Sequence, residues 1–306
     1  MRVLLNGGAG FIGEALADRL RAASADVYVA DTMQRIERVR PSLNRANLIP
    51  CEFNIPPDDC LKNADVLVQL AWSSQPSNSM SSIADDAKTN IVGSVGLFER
   101  SIMAGVKKII FASSGGTVYG NASILPISED GHLAPVSAYG VSKLSVERYL
   151  QLLSLHHPVT GISLRIGNPY GPYQLRGVPI GLIANFLLQL SKGNPLRIFG
   201  DGRIIRDYIW IEDVAEAINR AIFQDMPPGE YNIGSGIGHS INEIADLVES
   251  EWGSRTPRTY VDRRSFDVQQ VVLAIEKFSS AANWHPTVSL KDGIARMARA
   301  TKDKSK

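Results

Sequence analysis

Three glycines at a fixed spacing, Gly7, Gly10 and Gly13, stand between a short apolar run and a helical pattern. The run before them is Val3-Leu4-Leu5, and the helical pattern continues to Ala22. Glycine permits a tight strand-to-helix turn and lets a ligand approach the backbone. A helix opening there presents unpaired N–H donors and the positive end of its dipole. A second β-branched run, Val27-Tyr28-Val29, leads to Asp31, 18 residues after Gly13. A dinucleotide-binding turn carries an acidic residue ~20 residues on, where it accepts hydrogen bonds from the adenosine ribose. A carboxylate there repels a 2′-phosphate, so the pattern favours NAD over NADP, although Arg35 follows closely. A glycine triplet alone serves many ordinary turns. Its place between strand and helix, with Asp31 following, gives it meaning.

Two further short runs, Val66-Leu67-Val68 and Ile109-Ile110-Phe111, flank a helical stretch from about Ala84 to Ala104. Alternation of this kind implies βαβ units around a parallel sheet. The runs are apolar throughout, as strands covered on both faces must be. After about residue 166 the texture changes. Asn168-Pro-Tyr-Gly-Pro172 and Gly177-Val-Pro179 are turn-rich, and a helix is expected from Ile180 to Leu190. Gly200-Asp-Gly202 precedes a strand-like Tyr208-Ile-Trp-Ile211, with Asp213 as a candidate helix cap. Ser240-Ile-Asn-Glu243 fits a capping box, and the polar tail from Thr301 is expected to fray. The fold expected is α/β: a Rossmann-type doubly wound parallel sheet over residues 1–165, with a smaller interleaved C-terminal substrate-binding lobe over 166–306. Residues about 203–224 are expected to return to the first domain.

Composition narrows the partners. The chain has 306 residues, with 32 Lys plus Arg against 31 Asp plus Glu, a formal net charge of +1. So even a balance argues against nucleic acid or an anionic membrane as partner. No segment reaches the ~18 apolar residues a membrane span requires, and the N-terminal apolar run is too short for a signal peptide. Cys51 and Cys60 lack a second CxxC or a His cluster nearby. They read as reduced thiols of a cytoplasmic protein, with no metal site.

Tyr139-Gly-Val-Ser-Lys143 places a phenol and an ammonium four residues apart, on one face if helical. Ser137 is positioned to cap that helix. A free tyrosine has a pKa of ~10, and a neighbouring lysine charge favours the phenolate. Such a pair can deprotonate an alcohol while hydride leaves its carbon. By itself a Tyr/Lys pair at this spacing more often marks an ordinary helix surface; the nucleotide turn upstream shifts the balance. Ser113-Ser-Gly-Gly-Thr-Val-Tyr-Gly120 follows the Ile109 strand, at the carboxyl end where parallel sheets bind ligands. It supplies hydroxyls for a reacting oxygen, or is simply a turn of self-capping serines.

With these motifs in order, the chain resembles the extended short-chain dehydrogenase/reductase family, in its nucleotide-sugar epimerase branch. The resemblance runs on through Asn168-Pro-Tyr-Gly-Pro172, Gly200 to Tyr208, Tyr231 to Ser235, Arg264 to Asp267 and Asn283 to Pro286. It implies cofactor contact at Gly7, Gly10, Phe11, Ile12, Gly13, Asp31, Asn54, Ile55, Leu70, Ala71, Asn90, Ser113, Tyr139 and Lys143. It implies catalysis by Tyr139, Lys143 and a hydroxyl partner, and substrate contact at Ser114, Thr117, Tyr139, Asn168, Arg206 and Arg264. Two arginines suit a pyrophosphate, being forked and always charged; as plain surface groups they would pair with Asp207 or Asp267. Tyr208 and Asp267 also fall on motif positions.

The chain departs from the family pattern at several points. Gly115 stands where relatives carry Ser or Thr, leaving Thr117 as the favoured hydroxyl partner ahead of Ser114 and Ser113. Gly116-Thr117 replaces the Asp-Glu pair of the 4,6-dehydratases, which argues against water elimination. Asn54-Ile55 replaces an Asp-Ile, Phe266 a glycine, and Trp72 a small residue. The function implied is an NAD-dependent epimerase acting on a nucleotide sugar, a UDP-hexose at C4, in a homodimer. The alternatives are a 4-ketoreductase or decarboxylase on the same scaffold, or a non-catalytic NAD-binding regulator.

Overall fold

The computed structural model describes residues 1–43, 46–175, 181–263 and 267–304. In chain order these form β1 (Arg2–Asn6), α1 (Phe11–Ala22), β2 (Asp26–Asp31), α2 (Met33–Val39), β3 (Asn47–Pro50), α3 (Asp58–Lys62) and β4 (Val66–Gln69). Then come α4 (Ile83–Asp86), a π-helical turn (Ala87–Val92), α5 (Gly93–Met103), β5 (Lys108–Ser114), α6 (Ala138–His156), β6 (Thr160–Ile166) and β7 (Asn168–Tyr170). The second half holds α7 (Leu182–Ser191), β8 (Leu196–Phe199), β9 (Ile205–Trp210), α8 (Ile211–Phe223), β10 (Gly229–Ile233) and β11 (Gly238–Ser240). It closes with α9 (Ile241–Trp252), β12 (Arg258–Val261), α10 (Glu276–Ala282) and α11 (Leu290–Lys304).

Seven strands pair in the order β10-β6-β5-β4-β1-β2-β3, every pair parallel. The chain builds outward from β1 through β2 to β3, then crosses back to β4 and builds the other way. That reversal, between β1 and β4, opens a crevice at the carboxyl ends of the strands, the ligand-binding place of such sheets. Successive side chains of β1 feed opposite faces. Val3 and Leu5 pack with α1 and α8, whereas Leu4 joins Leu67, Ile109 and Phe111 under α5 and α6. A second core, made by α7, α9 and α11 with β8 and β9, sits apart from the sheet. The chain returns from it: α8 packs on α1, and β10 pairs with β6 at the sheet edge.

Local signals act as the sequence suggests in some places and not in others. The capping box forms: Glu243 N donates to Ser240 Oγ at 3.2 Å, and Ser240 N donates to the Glu243 carboxylate at 2.7 Å. The helical stretch 84–104 is interrupted by the π-helical turn, where Asn90 is drawn inward. Ile211 begins α8 rather than ending a strand, so Asp213 lies inside the first turn. Its carboxylate instead accepts from Thr287 N and Oγ1 and from Val288 N, tying down the approach to α11. The tail from Thr301 is not frayed as far as Lys304: Thr301 is buried, and its hydroxyl donates to Met297 O at 2.9 Å. Gly177–Pro179 and Ile180 lie outside the described residues. Among the described residues no helix is long and apolar enough to cross a membrane.

Replacing Ser240 by Ala removes the acceptor for Glu243 N. Chemical denaturation should show a loss of about 1 kcal/mol, with the slope of the transition unchanged.

Candidate active site

The glycine turn is built by exclusion. Gly7 takes φ +79°, and a Cβ on it would run into the backbone of Ala71. A Cβ on Gly13 would strike the backbone of Gly8, so α1 lies directly on the turn. Gly10 N donates to Gly7 O at 3.1 Å, and Gly10 O accepts from Glu14 N at 2.9 Å, which starts α1. Phe11 and Ile12 fill the first turn of the helix and pack onto the core. Asp31 closes β2, buried, with Oδ2 accepting from Ala9 N at 3.1 Å and Oδ1 from Thr32 N at 2.8 Å. Burial pushes its carboxyl up; the two backbone donors, with Arg35 and Arg38, oppose that. A carboxylate has about four acceptor sites, so an anchored Asp31 can still receive ribose hydroxyls.

Across the crevice, Leu70 N and Ala71 N both donate to Asn6 O. Asn54, at φ +59°, accepts through Oδ1 from Asn6 Nδ2 at 2.7 Å and Gln69 Nε2 at 2.9 Å. This knot fixes the loop after β3, leaving Ile55 exposed. Asn6 and Gln69 gave no sign in the sequence of this duty. Asn90 is wholly buried; its Oδ1 accepts from Ser73 N at 3.0 Å, and its Nδ2 donates to Asp86 at 3.1 Å. Asp86 also accepts from Ser142 Oγ at 2.6 Å and from Ser74 Oγ. No local motif flagged this buried carboxylate, because its partners come from three separate segments.

Ser137 caps α6, its Oγ accepting from Gly140 N at 3.2 Å, and Tyr139 and Lys143 follow on the helix. Lys143 Nζ donates to Ala112 O at 2.7 Å. It lies 3.7 Å from the centroid of the Trp72 ring and 5.6 Å from that of Tyr139. The Tyr139 phenol hydrogen-bonds the Ser114 side chain. The expected partner, Thr117, holds its buried Oγ1 without a partner among the described residues. Gly115 also has a reason: a Cβ there would come 2.6 Å from the Leu273 side chain and 2.9 Å from Arg165 O. Ser113 Oγ is turned to the Glu147 carboxylate, itself gripped by Arg165 Nη2 at 2.8 Å.

The electrostatics correct one expectation. Burial pushes the Tyr139 phenol up to about 12, against the Ser114 bond and with Asp86 adding to the rise. Burial also brings the Lys143 ammonium down to about 7, with Glu147 and Asp86 holding it up. The pair is near in space, but desolvation acts on both members and outweighs the helical spacing. The phenol therefore needs further positive charge before it serves as a base at neutral pH.

On the far wall, Asn168 in β7 stands in register with Tyr208 of β9, two residues from Arg206. Arg206 Nη1 donates to Ile205 O at 2.9 Å. Asp207 spends its buried carboxylate on Ser235 N and Oγ, Gly236 N and Leu273 N. Tyr208 packs edge-on to Tyr170. Arg264 and Phe266 lie outside the described residues.

Residues 3–234 match the model of the NAD dependent epimerase/dehydratase family. The chain belongs to that family. It is 31% identical to a putative UDP-glucose 4-epimerase of Methanocaldococcus jannaschii, over 99% of both chains. The structure of a UDP-glucose 4-epimerase with UDP-glucose from Thermotoga maritima superposes with a TM-score of 0.91, at 31% identity and full coverage of both chains. That of the Thermus thermophilus UDP-glucose 4-epimerase complex with NAD gives 0.88, at 29% identity and 99% coverage of each. NAD is the family's cofactor, and the backbone here fits it: at Gly7 only a residue without Cβ leaves the turn open, and the Asp31 carboxylate is anchored beside the turn by Ala9 N.

Lys143 gives a readable pH dependence. Below about pH 7 the native and unfolded chains both hold its proton, and the native state bears the full cost of burying the charge. Between about 7 and its ordinary 10.5 the unfolded chain binds more protons, so stability rises with pH. Thermal melts of nucleotide-free protein should show the wild type gaining on Lys143→Met across that window and not below it.

Proposed function

We propose that this chain is an NAD-dependent epimerase that inverts C4 of a UDP-hexose. The observation that carries the reading is the meeting of Tyr139, Ser114 and Lys143 at the carboxyl end of β5, two strands from β1 and its glycine turn. When bound, NAD supplies a reversible hydride acceptor and a fixed positive charge. That charge favours the Tyr139 phenolate, which the protein alone holds protonated. Tyr139 takes the proton from the C4 hydroxyl and later returns it to the same oxygen. Ser114 holds the phenol in line, and Lys143 bonds the nicotinamide ribose while adding its charge. Gly7, Gly10, Phe11, Ile12, Gly13, Asp31, Asn54, Ile55, Leu70, Ala71, Asn90 and Ser113 line the cofactor side. Thr117 offers its unpaired hydroxyl to the sugar, and Asn168, Arg206 and Arg264 take the diphosphate. The lobe over residues 166–306 takes the nucleotide of the substrate. The half-buried, unpaired Cys51 and Cys60 support a cytoplasmic setting.

Purified protein should carry NAD, detectable by mass spectrometry, and interconvert UDP-glucose and UDP-galactose with no cofactor added. Tyr139→Phe should lower kcat by about 10³-fold or more while NAD is retained. Product forming only with stoichiometric NAD(P)H would overturn the epimerase reading in favour of a ketoreductase. A Tyr139→Phe protein with full turnover would remove the base.

A homodimer joined through the Tyr139 helix, α6, completes the reading. An apolar groove is lined by Met80, Ile83, Ile91, Pro135, Val136 and Val141, and Tyr149, Leu152 and Leu155 are exposed farther along α6. A patch of this kind marks an association surface. Leu152→Glu should shift the protein from dimer to monomer in sedimentation velocity.

A further inference from the structure

Trp72 follows Ala71 directly after β4, and its ring is placed by three neighbours. It lies tilted against Phe111, with centroids 5.8 Å apart, and edge-on to Tyr139 at 5.9 Å. Lys143 Nζ lies 3.7 Å from its centroid. Its own Nε1 is buried with no partner among the described residues. A buried N–H without an acceptor is costly, so this ring is held by what its face and edge touch. Lys143 needs such a face. Among the described residues its one hydrogen-bond acceptor is Ala112 O, and no carboxylate forms an ion pair with it. An ammonium carries three protons, and the negative face of an indole is the best aromatic surface for one.

We propose that Trp72 is a positioning residue for Lys143: its ring face holds the ammonium between the Ala112 carbonyl and Tyr139, charged and aimed at the crevice. The proposal rests on reading Tyr139 and Lys143 as the catalytic pair. The groups that face Lys143 are Tyr139 and Glu147 from its own helix, Asp86 from α4, Trp72 from the loop after β4, and Phe111 with the Ala112 carbonyl from β5. Arg165 stands behind Glu147 and neutralises much of it. Burial works against the charged form, and two carboxylates with the indole face work for it. Leucine would fill much of the same volume against Phe111 but has no negative face; phenylalanine keeps a weaker one. Cation–π attraction in a desolvated site is strong enough to move such a lysine by about one pH unit, or tenfold in the charged population.

The test compares wild type, Trp72→Phe and Trp72→Leu as NAD-loaded protein, with kcat and KM followed against pH. In Trp72→Leu the high-pH limb, where Lys143 gives up its proton, should move down by about one unit. kcat near that limb should fall about tenfold, with little change in KM for the sugar nucleotide. Trp72→Phe should restore most of both. A second readout does not depend on turnover or on the leucine variant folding. The tryptophan emission of wild type minus that of Trp72→Phe isolates Trp72, and it should titrate with the midpoint of the limb and go flat in a Lys143→Met background. An unshifted limb in a folded Trp72→Leu, or a difference emission that does not change with pH, overturns the proposal. If Tyr139→Phe keeps turnover, the catalytic reading falls, and the emission titration still decides whether Trp72 holds Lys143. If Tyr139→Phe is inactive and the emission is flat, the role of Trp72 alone falls.

Discussion

One buried ion pair holds the site together. Glu147 on α6 and Arg165 on β6 are almost wholly enclosed, with Nη2 and the carboxylate 2.8 Å apart. Arg165 Nη1 also donates to Tyr119 OH and Glu129 O, and Tyr119 in turn donates to Asn232 of β10. Ser113 Oγ at the end of β5 donates to the same Glu147. A buried pair with every arm used adds little net stability, but removing one member leaves an uncompensated charge inside the protein. Its value here is geometric. The helix that carries Tyr139 and Lys143 cannot slide along the sheet without breaking four segments' bonds at once, so phenol and crevice stay in register.

A fixed helix still leaves the chemistry unfinished, because position and protonation are set by different forces. Ser114 and Ala112 fix where the phenol and ammonium sit. Burial then pushes one up to about 12 and the other down to about 7. Both groups end up closer to neutral than a solvated pair would be. Under the function proposed above, the charge that would activate the phenol is left to the nicotinamide cofactor, which would supply it when bound. The base would then stay idle until the hydride acceptor is in place.

What could be read from the sequence divides along a physical line. The glycine turn, Asp31, the Ser137 and Ser240 caps and the apolar strands are local patterns, each set by a few consecutive residues. They were legible because backbone geometry demands particular residues at particular spacings. The π-helical turn was not, since Asn90 is drawn in by Ser73 and Asp86 from other segments. Nor was the exchange of Thr117 for Ser114 beside the phenol, which depends on how the loop after β5 folds back. Gly115 looked like a missing hydroxyl; Leu273, more than 150 residues away, explains it by occupying the space. Asp213 looked like a cap and is instead a clamp on the segment before α11. In each case a distant part of the chain decided the outcome.

The return of β10 to the main sheet has a consequence for how the chain is made. Until residues 229–233 leave the ribosome, β6 is an edge strand with its N–H and C=O groups unpaired along one side. Everything between β6 and β10, including α7, β8 and β9 of the second core, must be synthesised first. The nascent N-terminal half therefore carries an open, apolar edge for the time needed to make more than 60 further residues, and such edges recruit other strands. Docking of β10 seals that edge while α9 and α11 of the second core are still to be made. Quality control in the cell would accordingly meet a sheet that closes late, before the second core is complete.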